Sequence, residues 1–470
     1  MDDAVHFATA EQLRAVYPQP SETRVRIGRL ASATTVPLTL NAKRAVVRHM
    51  GIVGSTGAGK SSAAASLVQA FVKGGWPGAK IVIIDPHGEY PAAFDPVSVA
   101  VRSVDGVDAQ QLAVPYWALP AGDILRALSG ISDPGATASA RFGELVADAR
   151  IAFAEDAAWL DLEPAEISAD SPIPFEIANV WYQLEYENRA TYSQSQGNGE
   201  PELDDVGEAA ALRPPRFRAP AMGAAAPFKG PRFGLLGTMP DRVRAGLRDE
   251  RLAFLRRPVI DPGEPDPLPR VMESWLGTDK PISVLDFSGV PAVATDLAVG
   301  VILQLLFEAA VRGGDQGIGR ARPVLVVLEE AHRYLLEGPS VRLARESVNR
   351  IAREGRKYGI GVTLVTQRPS ELPDTALAQL GTIIALRLTN AADQARVRAA
   401  LPDAVAGLAD TLPALRTGEA IVSGEAVELP TRVLIDPPSP PPAAEDPNLA
   451  SWRVAGELDL AETIRRWREG

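Results

Sequence analysis

The chain has 470 residues, a formal net charge of −11 and no cysteine, with 46% apolar and 23% charged residues. This composition is ordinary for a globular protein with a large core, and it excludes disulfides and thiolate metal sites. The four histidines do not have the spacing of a metal site. The first residues are acidic and polar, which predicts no signal peptide. Residues 297–311 form the most apolar long segment, but it is too short and too polar to span a bilayer, so we expect a buried helix and a cytoplasmic protein.

Strand and helix patterns alternate along most of the chain, which predicts an α/β protein with a mostly parallel sheet covered on both faces. Residues 24–47 alternate like strands, and the insertion at about 110–275 is helical, with a Gly/Pro-rich flexible connector at 193–240. Three parts are expected: a β segment at 1–47, a core at 48–435 and a Pro-rich tail at 436–470. The tail is expected to contain a charged helix near 455–466. The predicted core strands are 50–53, 80–85, 282–286, 324–328, 360–366 and 382–388, and the predicted core helices are 62–71, 295–311, 341–358 and 391–401.

The segment from Gly54 to Ser61, GSTGAGKS, has the complete pattern of a phosphate-binding loop between an apolar strand and a helical run. Such loops hold a triphosphate with backbone N–H groups at the positive end of the following helix. The lysine, here Lys60, reaches the β- and γ-phosphates, and the serine hydroxyl, here Ser61, binds Mg²⁺. The pattern predicts binding of ATP and Mg²⁺. A Gly-rich turn without a ligand is the alternative.

Two acids, Glu329 and Glu330, follow an apolar run at 323–328. This pattern places both carboxylates at the carboxyl end of a central strand, beside the phosphate loop. Hydrolysis requires a carboxylate that orients water and a group that holds the metal. We therefore predict Glu330 as the base and Glu329 as a ligand of Mg²⁺ through water. Two solvated acids at a helix N-terminus are the alternative.

Polar residues also follow two other predicted strands. Asp85 and Glu89, in the segment DPHGEY, are candidates to contact the attacking water or the shell of the metal. A plain Asp-Pro turn is the alternative. Gln367 follows the strand at 360–366, a position where an amide senses the γ-phosphate in other nucleotide hydrolases. A polar strand cap is the alternative there.

The helix predicted at 341–358 has an apolar side and a basic side. At about 100° per residue, Ala344, Val348 and Ile351 lie on one side, which is expected to pack on the sheet. The basic side has two interpretations, a solvated face or an arginine that reaches the ATP of a neighbouring subunit. Its residues are Arg342, Arg345, Arg350, Arg353, Arg356 and Lys357.

The net charge argues weakly against a nucleic-acid partner, but the charge is unevenly distributed. Eleven basic and three acidic residues lie between Arg213 and Arg257, a local excess of +8. An oligomer could line a channel with this segment while its outer surface stays acidic.

With these residues, the chain resembles the HerA family of hexameric DNA translocases, in the HerA/FtsK group of RecA-like ATPases. The resemblance covers most of the predicted core in the family's order and is weakest in the insertion. The matching segments are RHMGIVGSTGAGKSS (48–62), IIDPHGEY (83–90), ISVLDFSGVP (282–291), LEEAHRYL (328–335), IAREGRKYGIGVTLVTQRPSEL (351–372), ALRLTNAADQ (385–394) and GEAIVSGEAVELP (418–430).

The resemblance implies a homohexameric ring that pulls duplex DNA through its pore with ATP and Mg²⁺. Glu330 matches the family's catalytic glutamate, and Arg353 or Arg356 matches its in-trans arginine finger. The implied partner is a NurA-type nuclease in DNA end resection or another effector in phage defence. No association with a membrane is implied. The implied nucleotide contacts are Arg48, Gly57, Ala58, Gly59, Lys60, Ser61, Ser62 and residues near Val422.

One departure from the family concerns the N-terminus. Family members have a full β-barrel ahead of the phosphate loop, whereas 53 residues precede the loop here. We expect residues 1–47 to form the closing strands of such a barrel, in a short variant or a truncated one. The leading function is an ATP-driven DNA translocase or helicase motor. A conjugation or secretion coupling motor is a second candidate, but such motors usually have N-terminal membrane helices. A nucleotide-regulated ATPase scaffold of a defence or nuclease complex is the third, and the intact Lys60 and Glu330 favour hydrolysis over a purely structural role.

Overall fold

The computed structural model describes residues 8–131, 133–221, 225–256, 260–315, 317–336, 342–402, 406–443, 453 and 460–469. The strands in chain order are β1 Arg24–Leu30, β2 Pro37–Asn41, β3 Met50–Val53, β4 Lys80–Asp85, β5 Val99–Ser103, β6 Thr191–Tyr192, β7 Leu203–Asp205, β8 Arg216–Phe217, β9 Phe228–Lys229, β10 Ile282–Asp286, β11 Val324–Leu328, β12 Ile360–Thr366, β13 Thr382–Ala385, β14 Glu419–Gly424 and β15 Thr431–Ile435.

The helices in chain order are α1 Ala10–Val16, α2 Ala42–Val47, α3 Lys60–Lys73, α4 Ala121–Ser129, α5 Ala136–Asp156, α6 Ile177–Arg189, α7 Met239–Arg248, α8 Pro267–Trp275, α9 Ala292–Arg312, α10 His332–Leu335, α11 Arg342–Tyr358, α12 Asp374–Ala378, α13 Ala391–Ala400, α14 Ala406–Ala409 and α15 Leu460–Glu469. The predicted tail helix at 455–466 corresponds in part to α15, and residues 454–459 lie outside the described residues.

Eleven strands form one central sheet in the order β2-β1-β15-β14-β13-β3-β12-β11-β4-β10-β5. All neighbouring pairs from β13 to β5 are parallel, whereas the pairs from β13 to β2 are antiparallel. The prediction of an α/β fold with a mostly parallel sheet is confirmed. We call the edge where the parallel strands end the carboxyl edge, and the edge where they begin the amino edge.

Helices cover both faces of the sheet because successive residues of its strands are apolar on both sides. On β11, Val326 packs into the core that contains α9 and α11, whereas Val327 packs into the core that contains α3. Strands that are buried on both faces read as continuous apolar runs, which is why the sequence predicts their bounds well. β13 is the exception. It ends at Ala385, three residues before the predicted end, because the following residues turn to contact the phosphate loop.

The apolar segment predicted as a buried helix lies in α9. In the described part of the chain, one helical segment, Ala294–Arg312, has the length and apolar composition needed to cross a membrane. However, 72% of its most apolar window is buried inside the protein. Its packing between the sheet and α11 identifies it as a core helix.

The N-terminal strands belong to the central sheet. β1 pairs with β15 through Gly28–Ile435 and Leu30–Val433, and β2 pairs with β1. Residues 42–47, predicted as part of a strand-like segment, form α2 instead, because the side chain of Asn41 caps the helix by accepting from the backbone N–H of Arg44. Residues 24–41 therefore extend the sheet of the core. Their relation to a family barrel stays a prediction.

The insertion packs its helices onto the core beside α9, with Trp117, Trp181 and Trp275 fully buried. Its basic segment is less basic in space than in sequence. Three arginines pair with acids that lie outside the segment, and Arg244 and Arg248 donate to the backbone carbonyl of Leu212. The three ion-paired arginines offset part of the local charge excess, and the lining of a channel by this segment stays a prediction. The ion pairs are Arg213 with Asp205 and Glu208, Arg218 with Glu202 and Asp204, and Arg232 with Glu144 and Glu187.

Candidate active site

The phosphate loop joins β3 to α3 at the carboxyl edge of the sheet. Gly57 and Gly59 have φ angles of 73° and 96°, the left-handed region in which glycine is favoured. With these left-handed glycines, successive backbone N–H groups of the loop point toward one concave site that can bind an anion. The positive N-terminal end of the α3 dipole faces the same site. Lys60 is the first residue of α3, and its Nζ donates to the carbonyl of Ser55 at 3.4 Å. Ala58, Ser61 and Ser62 complete the predicted cradle, and its geometry fits a triphosphate.

A chain of hydrogen bonds connects the predicted base to this loop. The Nε2 of Gln367 donates to Oε1 of Glu330 at 3.0 Å, and Thr56 Oγ1 donates to Oε1 of Gln367 at 2.7 Å. Glu330 follows β11 and Gln367 follows β12. In the sheet, β12 lies between β3 and β11. The amide therefore links the loop that would hold the terminal phosphate to the carboxylate that would orient water.

Glu330 has a strained backbone and a charged side chain. Its φ of 51° lies in the left-handed region, which non-glycine residues adopt rarely and which recurs at active sites. Burial would raise the pKa of Glu330, but the contact with His332, whose Nδ1 lies 3.1 Å from Oε2, and the nearby charges of Lys60 and His87 hold that pKa below its ordinary value. The carboxylate is thus ionised and able to accept a proton at neutral pH.

Glu329 differs from its neighbour because it is almost fully buried. Burial raises its pKa to about 8, and the carboxylates of Glu330 and Asp85 act in the same direction, against the hydrogen bond from Tyr90 and the charge of Lys60. The Tyr90 hydroxyl donates to Oε2 of Glu329 at 2.5 Å. A buried carboxyl group in this surrounding fits a site where a cation supplies compensating charge.

Asp85 organises the turn after β4. Its Oδ1 accepts from the backbone N–H groups of His87 and Gly88, and its Oδ2 accepts from that of Tyr90. Both oxygens are thus engaged by the turn, which is the structural alternative named for this segment. Glu89 is half-buried in the same turn, where its backbone carbonyl accepts from Ala443.

Three predicted arginines lie away from the loop of their own chain. Arg48 lies two residues before the start of β3, at the amino edge, where it forms an ion pair with Glu425 at 3.2 Å. Arg353 and Arg356 are exposed in the last two turns of α11, which ends two residues before β12 begins. β3 and β12 are parallel, so the length of the sheet separates these arginines from the loop. Arg48 is therefore placed away from the loop of its own chain, and its contact to a nucleotide stays a prediction.

His49 connects β12 and α11 at the amino edge. Its buried ring accepts a hydrogen bond at Nδ1 from the backbone N–H of Val362 on β12 and also bonds to the backbone of Ala352 on α11. The residue has a φ of 57°. A Cβ at Gly355 would lie 2.2 Å from the carbonyl oxygen of Ile360 and 3.3 Å from Cε1 of His49, so glycine at this position allows the close approach of α11. The strand that enters the phosphate loop and the helix that carries Arg353 and Arg356 therefore share one buried contact.

We expect His49 to make stability depend on pH. Burial lowers its pKa from 6.5 to about 4, so below pH 6.5 the unfolded chain binds a proton there that the folded chain does not. The contribution of His49 to the free energy of unfolding is fully present above pH 6.5 and is lost as the pH falls toward 4. The loss is about 2 kcal/mol between pH 7.5 and pH 5. His49→Asn, which tolerates left-handed backbone, should remove this component in urea unfolding at the two pH values. Parallel pH dependences of the two proteins would contradict it.

Several loop contacts were not predicted from sequence. The backbone N–H of Ser55 donates to the carbonyl of Arg387, and an Nη2 of Arg387 lies 3.5 Å from the carbonyl of Gly57. On the other side, the backbone N–H of Gly418 donates to the carbonyl of Ala58. Val422 itself is buried in the sheet, so residues 416–418, at the start of β14, are the part of this region that meets the loop. The segment 385–394 had matched the family, which was the available signal for Arg387.

Comparisons with known proteins agree with this architecture. The central domain of helicase HerA matches residues 25–206, and the helicase HerA-like C-terminal domain matches residues 282–440. The DNA double-strand break repair helicase HerA of Pyrococcus furiosus is 25% identical over 464 residues, which cover 92% of this chain and 72% of that protein. The protein of the same name from Sulfolobus acidocaldarius is 34% identical over 184 residues, covering 39% of this chain and 37% of that relative.

Two solved structures have a similar fold. VirB4 of Thermoanaerobacter pseudethanolicus has a TM-score of 0.54 at 13% identity and covers 88% of this chain and 97% of its own. The plasmid coupling protein TrwB, in complex with the non-hydrolysable ATP analogue ADPNP, has a TM-score of 0.51 at 15% identity and covers 91% and 92%. The core is thus a RecA-like P-loop fold. The chain belongs to the HerA family and is an ATP-hydrolysing enzyme.

Proposed function

We propose that the protein is an ATP-driven translocase or helicase motor that acts on duplex DNA as a ring of identical subunits, a hexamer, in DNA end processing or phage defence. The names of its relatives, DNA double-strand break repair helicases, support the substrate and the process. A nuclease of the NurA type is the partner that fits this proposal, with another defence effector as the second choice.

One observation carries the proposal, the separation of the site into two halves. Lys60, Glu330 and Gln367 lie at the carboxyl edge of the sheet, whereas Arg48, Arg353 and Arg356 lie at the amino edge. Head-to-tail contacts between identical subunits bring such opposite surfaces together and close into a ring. The arginines of one subunit would then complete the site of the next, which couples hydrolysis to the arrangement of neighbours.

The residues at the carboxyl edge suit in-line attack of water on the γ-phosphate. The ionised Glu330 would accept a proton from that water, and Gln367 would hold the carboxylate in place and contact the phosphate. Lys60 and an arginine of the neighbouring subunit would stabilise the negative charge of the transition state. The strained backbone of Glu330 holds its side chain in this position.

The oxygen ligands beside the loop fit Mg²⁺. Ser61 offers a hydroxyl in the first turn of α3, and Glu329 offers a carboxyl group whose pKa is raised by burial and by the neighbouring carboxylates of Glu330 and Asp85. When bound, the ion neutralises charge on the β- and γ-phosphates. The hydrogen bond from Tyr90 fixes the Glu329 side chain for this purpose.

DNA-stimulated ATP hydrolysis tests the proposed function. We expect linear duplex DNA to raise turnover of the full-length chain about 10-fold, because translocating motors release product faster when the track is present. Lys60→Ala is the negative control, since it removes hydrolysis without altering the exposed surface. Oligomeric state is measured by native mass spectrometry in the same buffer. A stable hexamer whose turnover ignores DNA would contradict the motor and favour a nucleotide-regulated scaffold.

A further inference from the structure

Arg387 places a second positive charge beside the phosphate loop. It follows β13, the strand that flanks β3 on the side opposite to Gln367. Its guanidinium makes one long contact, 3.5 Å from the carbonyl of Gly57. Among the residues that the structure describes, no carboxylate forms an ion pair with it, whereas Arg368, at the end of the strand on the other flank, pairs with Glu371 at 2.7 Å.

The backbone and the side chain of Arg387 have separate roles. The backbone carbonyl accepts from the N–H of Ser55, and two residues later the N–H of Thr389 donates to Ser55 Oγ, so residues 387–389 support the loop through atoms that a side-chain substitution keeps. The guanidinium contributes only the long contact to Gly57. Arg387 is half-buried, and most of its five N–H donors have no protein acceptor among the described residues. Its side chain therefore contributes little to holding the loop, whereas its free donors suit phosphate oxygens.

Arg387 contacts the same short stretch of the loop as Lys60 and Gln367, the two groups predicted to meet the terminal phosphate. Lys60 donates to the carbonyl of Ser55, and Gln367 bonds to Thr56. Arg387 contacts Ser55 and Gly57, the residues on either side of Thr56. The guanidinium of Arg387 therefore lies beside the loop residues that contact Lys60 and Gln367 of the same chain.

We propose that Arg387 releases Gly57 when ATP enters the loop and binds the terminal phosphate of ATP on its own chain. Arg387 thus joins Lys60 as a cation of the ground-state site, in contrast to the arginines at the amino edge. The proposal rests on ATP hydrolysis by this family and is independent of ring formation and of DNA.

Nucleotide binding to the full-length Arg387→Ala protein tests the proposal. Isothermal titration calorimetry with ADPNP and with ADP should show an affinity for ADPNP that is lower by about 10-fold or more, since one charge-assisted hydrogen bond is lost. The affinity for ADP should change by less than about 3-fold, because ADP lacks the terminal phosphate. Arg387→Lys keeps the charge but not the planar fork, so its loss should be intermediate.

Two measurements keep the result interpretable. Thermal unfolding of Arg387→Ala should match the wild type, because the backbone contacts to Ser55 remain. Arg398→Ala is the matched control, since it removes a positive charge on α13 that is ion-paired with Asp410. Unchanged ADPNP affinity, an equal loss for ADPNP and ADP, or an equal loss in Arg398→Ala would overturn the proposal. None of these outcomes depends on whether DNA stimulates hydrolysis.

Discussion

Glu330→Gln is expected to lower ATP turnover by about 10³-fold while ATP binding stays within about 2-fold of the wild type. Glutamine has the same shape and can still accept the hydrogen bond from Gln367, but it cannot take a proton from the attacking water. Binding is preserved because the loop, Lys60 and Ser61 are unchanged. Steady-state phosphate release and calorimetric binding of ADPNP measure the two quantities separately.

The control for this substitution is Glu371→Gln. Glu371 lies at the same edge of the sheet and is ion-paired with the exposed Arg368, so its neutralisation should leave turnover within about 2-fold. Because the pKa of Glu330 lies below its ordinary value, mild acid should not by itself protonate the base. Substantial turnover by folded Glu330→Gln that binds ADPNP normally would remove Glu330 from its proposed role.

The double substitution Arg353→Ala with Arg356→Ala should also lower turnover by about 10³-fold, the range of an arginine finger. Both side chains are exposed at the amino edge, so the loss would arise at the site of a neighbouring subunit and not at their own. Single substitutions identify which arginine acts. Arg342→Ala is the matched control on the same helix, because Arg342 pairs with Glu346 of its own chain at 2.8 Å.

Mixed oligomers distinguish action in trans from action within the chain. The arginine-deficient protein has an intact loop, and the Lys60→Ala protein has intact arginines. In a ring assembled from equal amounts of both, about a quarter of the junctions pair an intact loop with intact arginines. Mixing two inactive proteins should therefore restore measurable hydrolysis. No recovery in oligomers that are shown to contain both proteins would place the arginines outside the neighbour's site.

Elements with strong local patterns were predicted well. The core strands β3, β4, β10, β11 and β12 begin and end where the apolar runs do, because each is buried on both faces. The phosphate loop was recognisable since its glycines, Lys60 and Ser61 are adjacent in sequence. The short α2 was missed because its cap, Asn41, overrides a strand-like pattern, and the early end of β13 was missed because contacts with Ser55 determine it.

The sequence by itself determined that this chain has a phosphate loop, a pair of acids after a buried strand, and a helix with one basic side. These properties depend on neighbours along the chain. Only the tertiary structure decided which groups share a site. Gln367 joins Thr56 to Glu330, Asp85 is occupied by its own turn, and Arg387 lies over the loop, whereas Arg48, Arg353 and Arg356 lie at the opposite edge. The physical reason is that strand order and direction bring together residues hundreds of positions apart, and that order follows from packing both faces of one sheet.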